Sequence, residues 1–298
     1  MPHARSKTGT ILGARRVAMF MNVAEPLRGS IELLRPTNAI AAGVLTFIGT
    51  LVAGAPLSQP AAAAMIATVL ATGAGMGIND YFDREIDAIN RPDRPIPRGA
   101  ISPRWALLFS GLLFAIAVLL ALTLPLIAIG IAMINLVALI TYTEFFKGLP
   151  GLGNALVAFL GGSTFLFGGA AVGNPEDTIV LFLLAAFATL GREIIKDVED
   201  IRGDQSEGLR TLPIVVGRNR ALWFAAGCLI IAAVASPMPY LRGTFGGAYL
   251  VIVLPAIVVM LLGMGRSWTD PGAGQRYVKI GMYVAIGAFV VGRLSPIG

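Results

Sequence analysis

The feature that most constrains this chain is a succession of apolar runs, each long enough to cross a lipid bilayer. Nine are centred near 38–56, 60–78, 105–122, 124–142, 154–172, 178–195, 221–236, 246–264 and 278–293. A helix needs about 20 mostly apolar residues to span the hydrocarbon core, and in lipid a spanning segment must satisfy its own backbone hydrogen bonds. The runs therefore predict an all-α, polytopic membrane protein with about nine transmembrane helices. Composition agrees, with 13% charged residues against about a quarter in soluble domains. The second and fifth runs are rich in Ala and Gly, which suits close helix packing in lipid.

Orientation follows from the basic residues. With the N-terminus placed in the cytoplasm, the inside segments hold 21 of the 23 Lys and Arg residues, leaving only Arg242 and Arg293 outside. The net charge of +6 is thus a topology signal, and says little about nucleic acid. Residues 1–27 form a basic N-terminal tail whose short run "VAMFMNVA" lacks a convincing cleavage site; an interfacial amphipathic helix on an anionic leaflet fits it better. The single Cys228 excludes an internal disulfide, and the lone His3 is no basis for a metal site.

Against this apolar background the charge is concentrated. Eleven of the 17 carboxylates fall in two inside segments, 80–93 and 193–207, each directly after an apolar run. Asp80, Asp83 and Asp87 form D-x2-D-x3-D; Asp197, Asp200 and Asp204 repeat that spacing 117 residues later. On a helix, positions i, i+3 and i+7 share a face, so each triplet stacks three carboxylates, with Asn79 four residues before Asp83. Like charges so placed destabilise a helix by about 0.2–0.5 kcal/mol per pair unless cations neutralise them. Mg²⁺ is suited to the task, typically taking one or two carboxylates together with substrate phosphates. A charged inner loop is ordinarily just a solvated loop, but two clusters of one spacing at helix ends on the same side argue for either an ancestral duplication or a shared chemical task.

Arg91, Arg94 and Arg98 follow the first triplet, and Arg202 and Arg210 accompany the second. Planar guanidinium groups suit phosphate oxygens, so carboxylates, Mg²⁺ and arginines together describe a site for an anionic leaving group such as diphosphate. Pro92, Pro95 and Pro97 both end the helix and stiffen the loop. Arg35 and Asn38 open the first run, where Arg35 is either a functional group or an interfacial anchor. Tyr142, Glu144 and Lys147 stand at the inner end of the fourth run, and Lys147 either touches phosphate or satisfies the positive-inside rule.

"NDYFDREID" with "RPDRPIP", and later "DVEDIRGD", resemble the UbiA family of intramembrane prenyltransferases over residues 28–298. The resemblance implies a transmembrane domain of nine helices around a central cavity. It also implies Mg²⁺-dependent transfer of a prenyl group from a polyprenyl diphosphate to a lipophilic acceptor. By the family motifs Asn79, Asp83 and Asp87 would hold one Mg²⁺–diphosphate and Asp200 with Asp204 the other, supported by Asp80 and Asp197. Within the family, "GREIIKDVEDIRGD" and "GLRTLPIVVG" look most like the archaeal branch serving ether-lipid synthesis. That branch adds a geranylgeranyl group to the sn-2 hydroxyl of geranylgeranylglyceryl phosphate.

The first motif is also similar to that of chlorophyll synthases, from which the second departs at Lys196, Asp197 and Asp200. Many ubiquinone-pathway members carry Tyr where Arg192 stands, and a cationic pair, Arg192 and Lys196, would suit a phosphate-bearing acceptor. Other UbiA-type acceptors, aromatic ones included, remain alternatives, as does a cation transporter, although transporters tend to place their acids near the bilayer midplane on broken helices. A CDP-alcohol phosphotransferase would need a D-x2-D-G-x2-A-R run, which is absent.

Overall fold

The computed structural model describes residues 25–141, 146, 149–206 and 208–295. Among the described residues every regular element is helical. The α-helices are α1 (Glu25–Leu33), α2 (Pro36–Val52), α3 (Gln59–Phe82), α4 (Arg84–Asn90), α5 (Pro103–Ala121), α6 (Leu126–Thr141), α7 (Leu152–Ala171), α8 (Ile179–Ser206), α9 (Leu212–Val216), α10 (Arg218–Ala235), α11 (Met238–Leu241), α12 (Ala248–Arg266) and α13 (Pro271–Leu294), and a 3-10 turn at Pro175–Thr178 leads into α8. Among the described residues seven spans are long and apolar enough to cross a membrane, or eight if α1 and α2, bent by 44° at their break, form one span. The apolar α6, 16 residues long, accounts for the remaining run, so about nine is an approximate count. Leu108, Leu119, Leu126, Val234 and Val251 stand exposed, as surfaces facing lipid require. Residues 1–24 of the basic tail, Tyr142, Glu144 and Lys147 lie outside the described residues.

The described chain divides into two compact units. One comprises the described part of Met1–Ile40 with Leu70–Ile116, the other Ala41–Val69 with the described part of Ala117–Gly298. In the first, Leu33, Ile96, Ile101 and Ala106 form a small core flanked by Tyr81 and Phe109. Close backbone approach makes it possible: a Cβ on Gly29 would sit 3.0 Å from the Ala100 Cβ, and one on Gly77 would sit 2.2 Å from Ser110 Oγ. Trp105 Nε1 donates to Ser30 Oγ at 2.9 Å, fixing α1 against α5. After α4 the proline-rich segment folds into turns, with Arg94 N donating to Arg91 O at 3.0 Å and Gly99 N to Ile96 O at 3.0 Å. Gly99, at φ +77°, takes the left-handed conformation that favours glycine.

In the second unit α8 packs against α7, α10 and α13. Its face contributes Ile194, Ile195 and Val198 to a core shared with Leu222, Leu229 and Val278. A second core joins Ile48, Phe165, Leu181, Phe245, Tyr249 and Phe289. The sixth apolar run stops near 195, yet α8 continues unbroken to Ser206. Hydropathy ends where charge begins, whereas the backbone hydrogen bonds of a helix do not depend on it. At 28 residues and about 1.5 Å per residue, α8 is longer than the roughly 30 Å hydrocarbon core. Its acidic end therefore extends past the apolar stretch while staying helical.

Candidate active site

The first acidic cluster straddles a helix break. Asn79 and Asp80 lie on the last turn of α3, Asp83 occupies the break, and Asp87 lies on α4. The expectation that the triplet rides one continuous helix is thus corrected at Asp83, where ψ is 2°. Asp83 N nevertheless bonds Asn79 O at 2.9 Å and Asp87 N bonds Asp83 O at 2.8 Å, so the helical spacing is nearly kept. Asn79 Nδ2 donates to Asp83 Oδ2 at 2.9 Å. Asp80 and Asp87 are buried and share a guanidinium. Arg94 Nη1 donates to Asp80 Oδ1 at 3.1 Å and also to Asp87 Oδ2. Arg35 Nη2 donates to the same Asp80 Oδ1 at 2.5 Å.

Arg35 is therefore more than an interfacial anchor: it pairs with a buried carboxylate. A charge this far from water is tolerated only when paired and hydrogen-bonded, and here two acids meet two arginines. Arg98 goes elsewhere. It bridges Glu32 Oε2 at 2.7 Å and Glu25 Oε1 at 3.3 Å, tying the proline-rich segment to α1. Its hydrogen bond to Glu32 holds its guanidinium pKa above the ordinary arginine value.

The second cluster rides α8, as its spacing predicts. Asp197 Oδ2 accepts from Asn154 Nδ2 at 2.8 Å, Asp204 Oδ2 accepts from Thr211 Oγ1 at 3.1 Å, and Asp200 is exposed. Arg192 donates to Glu193 and, at 3.3 Å, to Gln275 Oε1. Lys196 Nζ lies 3.8 Å from Glu193 Oε2. Glu193 thus balances part of the Arg192–Lys196 pair. Asn38, Arg91, Arg202 and Arg210 are exposed, so the structure draws none of them into either buried network.

Asn154, buried on the first turn of α7, escaped the sequence reading. Its one signal was a lone amide in an otherwise apolar run, "GLGNALV", the kind of intramembrane polar group that tends to have a specific partner. Replacing it with alanine takes a charge-assisted hydrogen bond from a half-buried carboxylate. Asn154→Ala is expected to cost about 1.5–3 kcal/mol, read as a lowered melting temperature in detergent. Asn154→Asp, which sets carboxylate against carboxylate, should cost more.

Residues 42–286 match the model of the UbiA prenyltransferase family. The chain is 62% identical over 275 residues to a digeranylgeranylglyceryl phosphate synthase of Natronomonas pharaonis, covering 92% of this chain and 99% of that one. Among solved structures it resembles one described as giving structural and mechanistic insights into the biosynthesis of digeranylgeranylglyceryl phosphate synthase in membranes. There the TM-score is 0.78 and the identity 34%, covering 91% of this chain and 99% of the other. A UbiA homolog from Archaeoglobus fulgidus bound to DMAPP and Mg²⁺ shares the fold at a TM-score of 0.68 and 20% identity, over 90% and 99% of the two chains. With a family match spanning most of its length and a relative this similar over nine-tenths of it, the chain belongs to the UbiA prenyltransferase family.

Proposed function

We propose that this chain transfers a geranylgeranyl group from geranylgeranyl diphosphate to the sn-2 hydroxyl of geranylgeranylglyceryl phosphate, at the inner leaflet of an archaeal cell membrane. One observation carries the reading: the 62% identity to a digeranylgeranylglyceryl phosphate synthase over 92% of this chain. The N-terminus and both acidic segments are placed in the cytoplasm by the distribution of Lys and Arg.

The donor set fits Mg²⁺. The acidic segments offer carboxylate and amide oxygens, the ligands of a hard cation, and among the described residues no three Asp, Glu, His or Cys side chains converge as a ready-made cage. Mg²⁺ is typically held by one or two carboxylates, with phosphate oxygens completing its shell. Asn79, Asp83 and Asp87 would hold one Mg²⁺ and Asp200 with Asp204 another, supported by Asp80 and Asp197. Bound Mg²⁺ supplies positive charge against the negative charge that builds on the departing diphosphate.

Around it the residues of this chain bind and orient. Arg35, Arg91, Arg94 and Arg210 are assigned to diphosphate, with Asn38, Tyr142 and Lys147 as further contacts to substrate. Arg192 and Lys196 are assigned to the acceptor phosphate. In the reaction the allylic C1–O bond breaks with its electron pair leaving on diphosphate. A new C1–O bond forms from the sn-2 oxygen, whose proton passes to the departing diphosphate or to water as that oxygen becomes cationic. No general base is assigned.

The second unit holds an open apolar pocket lined among others by Phe165, Leu184, Ala185, Met260, Ile286 and Phe289. Thr189, also on its wall, lies eight residues before Asp197 along α8, or about 12 Å. The pocket suits a prenyl tail and keeps water from an allylic cation. Ala185→Leu, one turn deeper, is expected to shift the kcat/KM ratio for geranylgeranyl over farnesyl diphosphate about tenfold towards the shorter donor, since each buried methylene is worth about 0.8 kcal/mol. An unchanged ratio would place the tail elsewhere.

The function itself is tested with purified protein, labelled geranylgeranyl diphosphate and Mg²⁺, offering geranylgeranylglyceryl phosphate, chlorophyllide and aromatic acids in parallel. Label on the glyceryl phosphate alone is the expected result. Label on a ring acceptor instead would move the chain to another branch of the family.

A further inference from the structure

We propose that Asp80 is a positioning residue, which acts by holding Arg35 and Arg94 towards the donor's diphosphate rather than by ligating a metal. This rests on the reading above, that the first acidic cluster binds the prenyl diphosphate.

The geometry distinguishes Asp80 from Asp83, and from Asp87, which shares Arg94 but meets one guanidinium where Asp80 meets two. Its side chain is only 4% exposed, and one oxygen, Oδ1, accepts from both Arg35 Nη2 at 2.5 Å and Arg94 Nη1 at 3.1 Å. A carboxylate flanked by two guanidinium groups is a poor place for a cation, since each arginine repels what Asp80 would bind. The same arrangement is well suited to an anion. A guanidinium carries five N–H donors. Arg94 makes both of its carboxylate contacts through the single atom Nη1, and Arg35 contacts Asp80 through Nη2. One shared oxygen therefore fixes two arginines while engaging one edge of each.

The backbone supports the same conclusion. Among the described residues Arg35 is the sole non-glycine with positive φ, at +45°. The left-handed region disfavours any side chain with a Cβ, and a residue held there points to an overriding constraint. Glycine would make this turn more easily, so the arginine side chain is what the position retains. Packing locks the turn in place. α1 and α2 bend by 44° across it, Leu33 is fully buried, and a Cβ on Gly73 of α3 would lie 3.3 Å from the Leu34 Cβ. The bend delivers Arg35 to Asp80 on the last turn of α3, 45 residues later.

The test compares Asp80→Asn, Arg35→Gly and Asp83→Asn in the full chain, in detergent. Three quantities are read: affinity for inorganic diphosphate by calorimetry, affinity for Mn²⁺ by paramagnetic resonance, and KM for geranylgeranyl diphosphate. Asp80→Asn is expected to weaken diphosphate binding and raise the donor KM about tenfold or more, as loss of charge-assisted hydrogen bonds does. Its Mn²⁺ affinity should stay within about twofold of the parent, which loss of a direct ligand would not permit. Arg35→Gly removes strain from the turn and one partner from the buried Asp80 at once, opposing effects on stability, while diphosphate affinity should fall as in Asp80→Asn in protein that still melts cooperatively. This separates the side chain from the fold even should Asp80→Asn unfold. Asp83→Asn should show the opposite pattern, with Mn²⁺ affinity lowered.

A fall in Mn²⁺ affinity for Asp80→Asn equal to that for Asp83→Asn would overturn the proposal and make Asp80 a ligand. Unchanged diphosphate affinity in Arg35→Gly would overturn it as well. Failure of the underlying reading looks different: Asp83→Asn would then leave metal binding and prenyl transfer untouched.

Discussion

Replacing Asp83 or Asp200 with asparagine is expected to lower prenyl transfer by at least about a thousandfold while leaving the protein folded. Removing one preorganised electrostatic contact to a developing charge costs about 10²–10³ in kcat, and loss of a metal-binding carboxylate also weakens the ion that supplies most of that charge. The two sites give independent routes to the same result. Asp83 accepts from Asn79 at 2.9 Å in the break between α3 and α4, and asparagine keeps its size. Asp200 is exposed on α8, where a surface substitution usually changes stability by less than about 0.5 kcal/mol. A large loss of activity in Asp200→Asn is therefore not a folding effect. Groups that act on one transition state are also strongly non-additive, so the double variant should be hardly slower than the worse single one. The assay is single-turnover transfer of labelled donor, with melting temperatures measured alongside. Retention of more than a tenth of parental activity in both single variants would remove these carboxylates from the chemistry.

What the sequence made legible and what it hid divide along physical lines. Apolar runs and basic loops are one-dimensional signals, and the helices α3, α5, α7, α8, α10, α12 and α13 fall on the runs that announced them. The acidic triplets were legible too, because spacing on a helix dictates a shared face. The break at Asp83 was not, since i→i−4 bonds continue on both sides of it and nothing in "NDYFDREID" marks an interruption. Nor could the sequence sort the arginines. Arg94 and Arg98 lie four residues apart in one proline-rich segment, yet Arg94 turns in to Asp80 and Asp87 while Arg98 turns out to Glu25 and Glu32. That choice depends on where α1 packs, a contact between residues more than sixty positions apart. The left-handed turn at Arg35 is hidden for a related reason. Tertiary packing imposes it on a residue whose own preference is otherwise, so no local signal announces it.

Gly168→Leu is expected to prevent α7 from docking on α2, and with it the assembly of the second unit. In lipid the drive between helices is packing and not burial of apolar surface, so close backbone approach at small residues matters more than in water. Here the approach is extreme: a Cβ on Gly168 would lie 2.1 Å from Thr46 O and 3.1 Å from Gly49 Cα. A Cβ on Gly49 would in turn lie 2.4 Å from Phe165 O. These neighbours are backbone atoms and cannot rotate away, so the helices must separate. Overpacking that side chains can absorb costs about 1–3 kcal/mol; a displaced backbone crossing should exceed that, a large part of a total stability of about 5–15 kcal/mol. Gly168→Ala should lower the melting temperature clearly and Gly168→Leu should leave little monodisperse protein after detergent extraction. Gly227 on α10 is the control, because a Cβ there meets nothing within 4 Å. Gly227→Ala should match or exceed the parent, alanine being the better helix former by about 1 kcal/mol. Equal behaviour of the two alanine variants would mean that the α2–α7 crossing is looser than these distances. Phe165 and Asn154, which sit on the same helix as Gly168, would then owe their positions to something other than that contact.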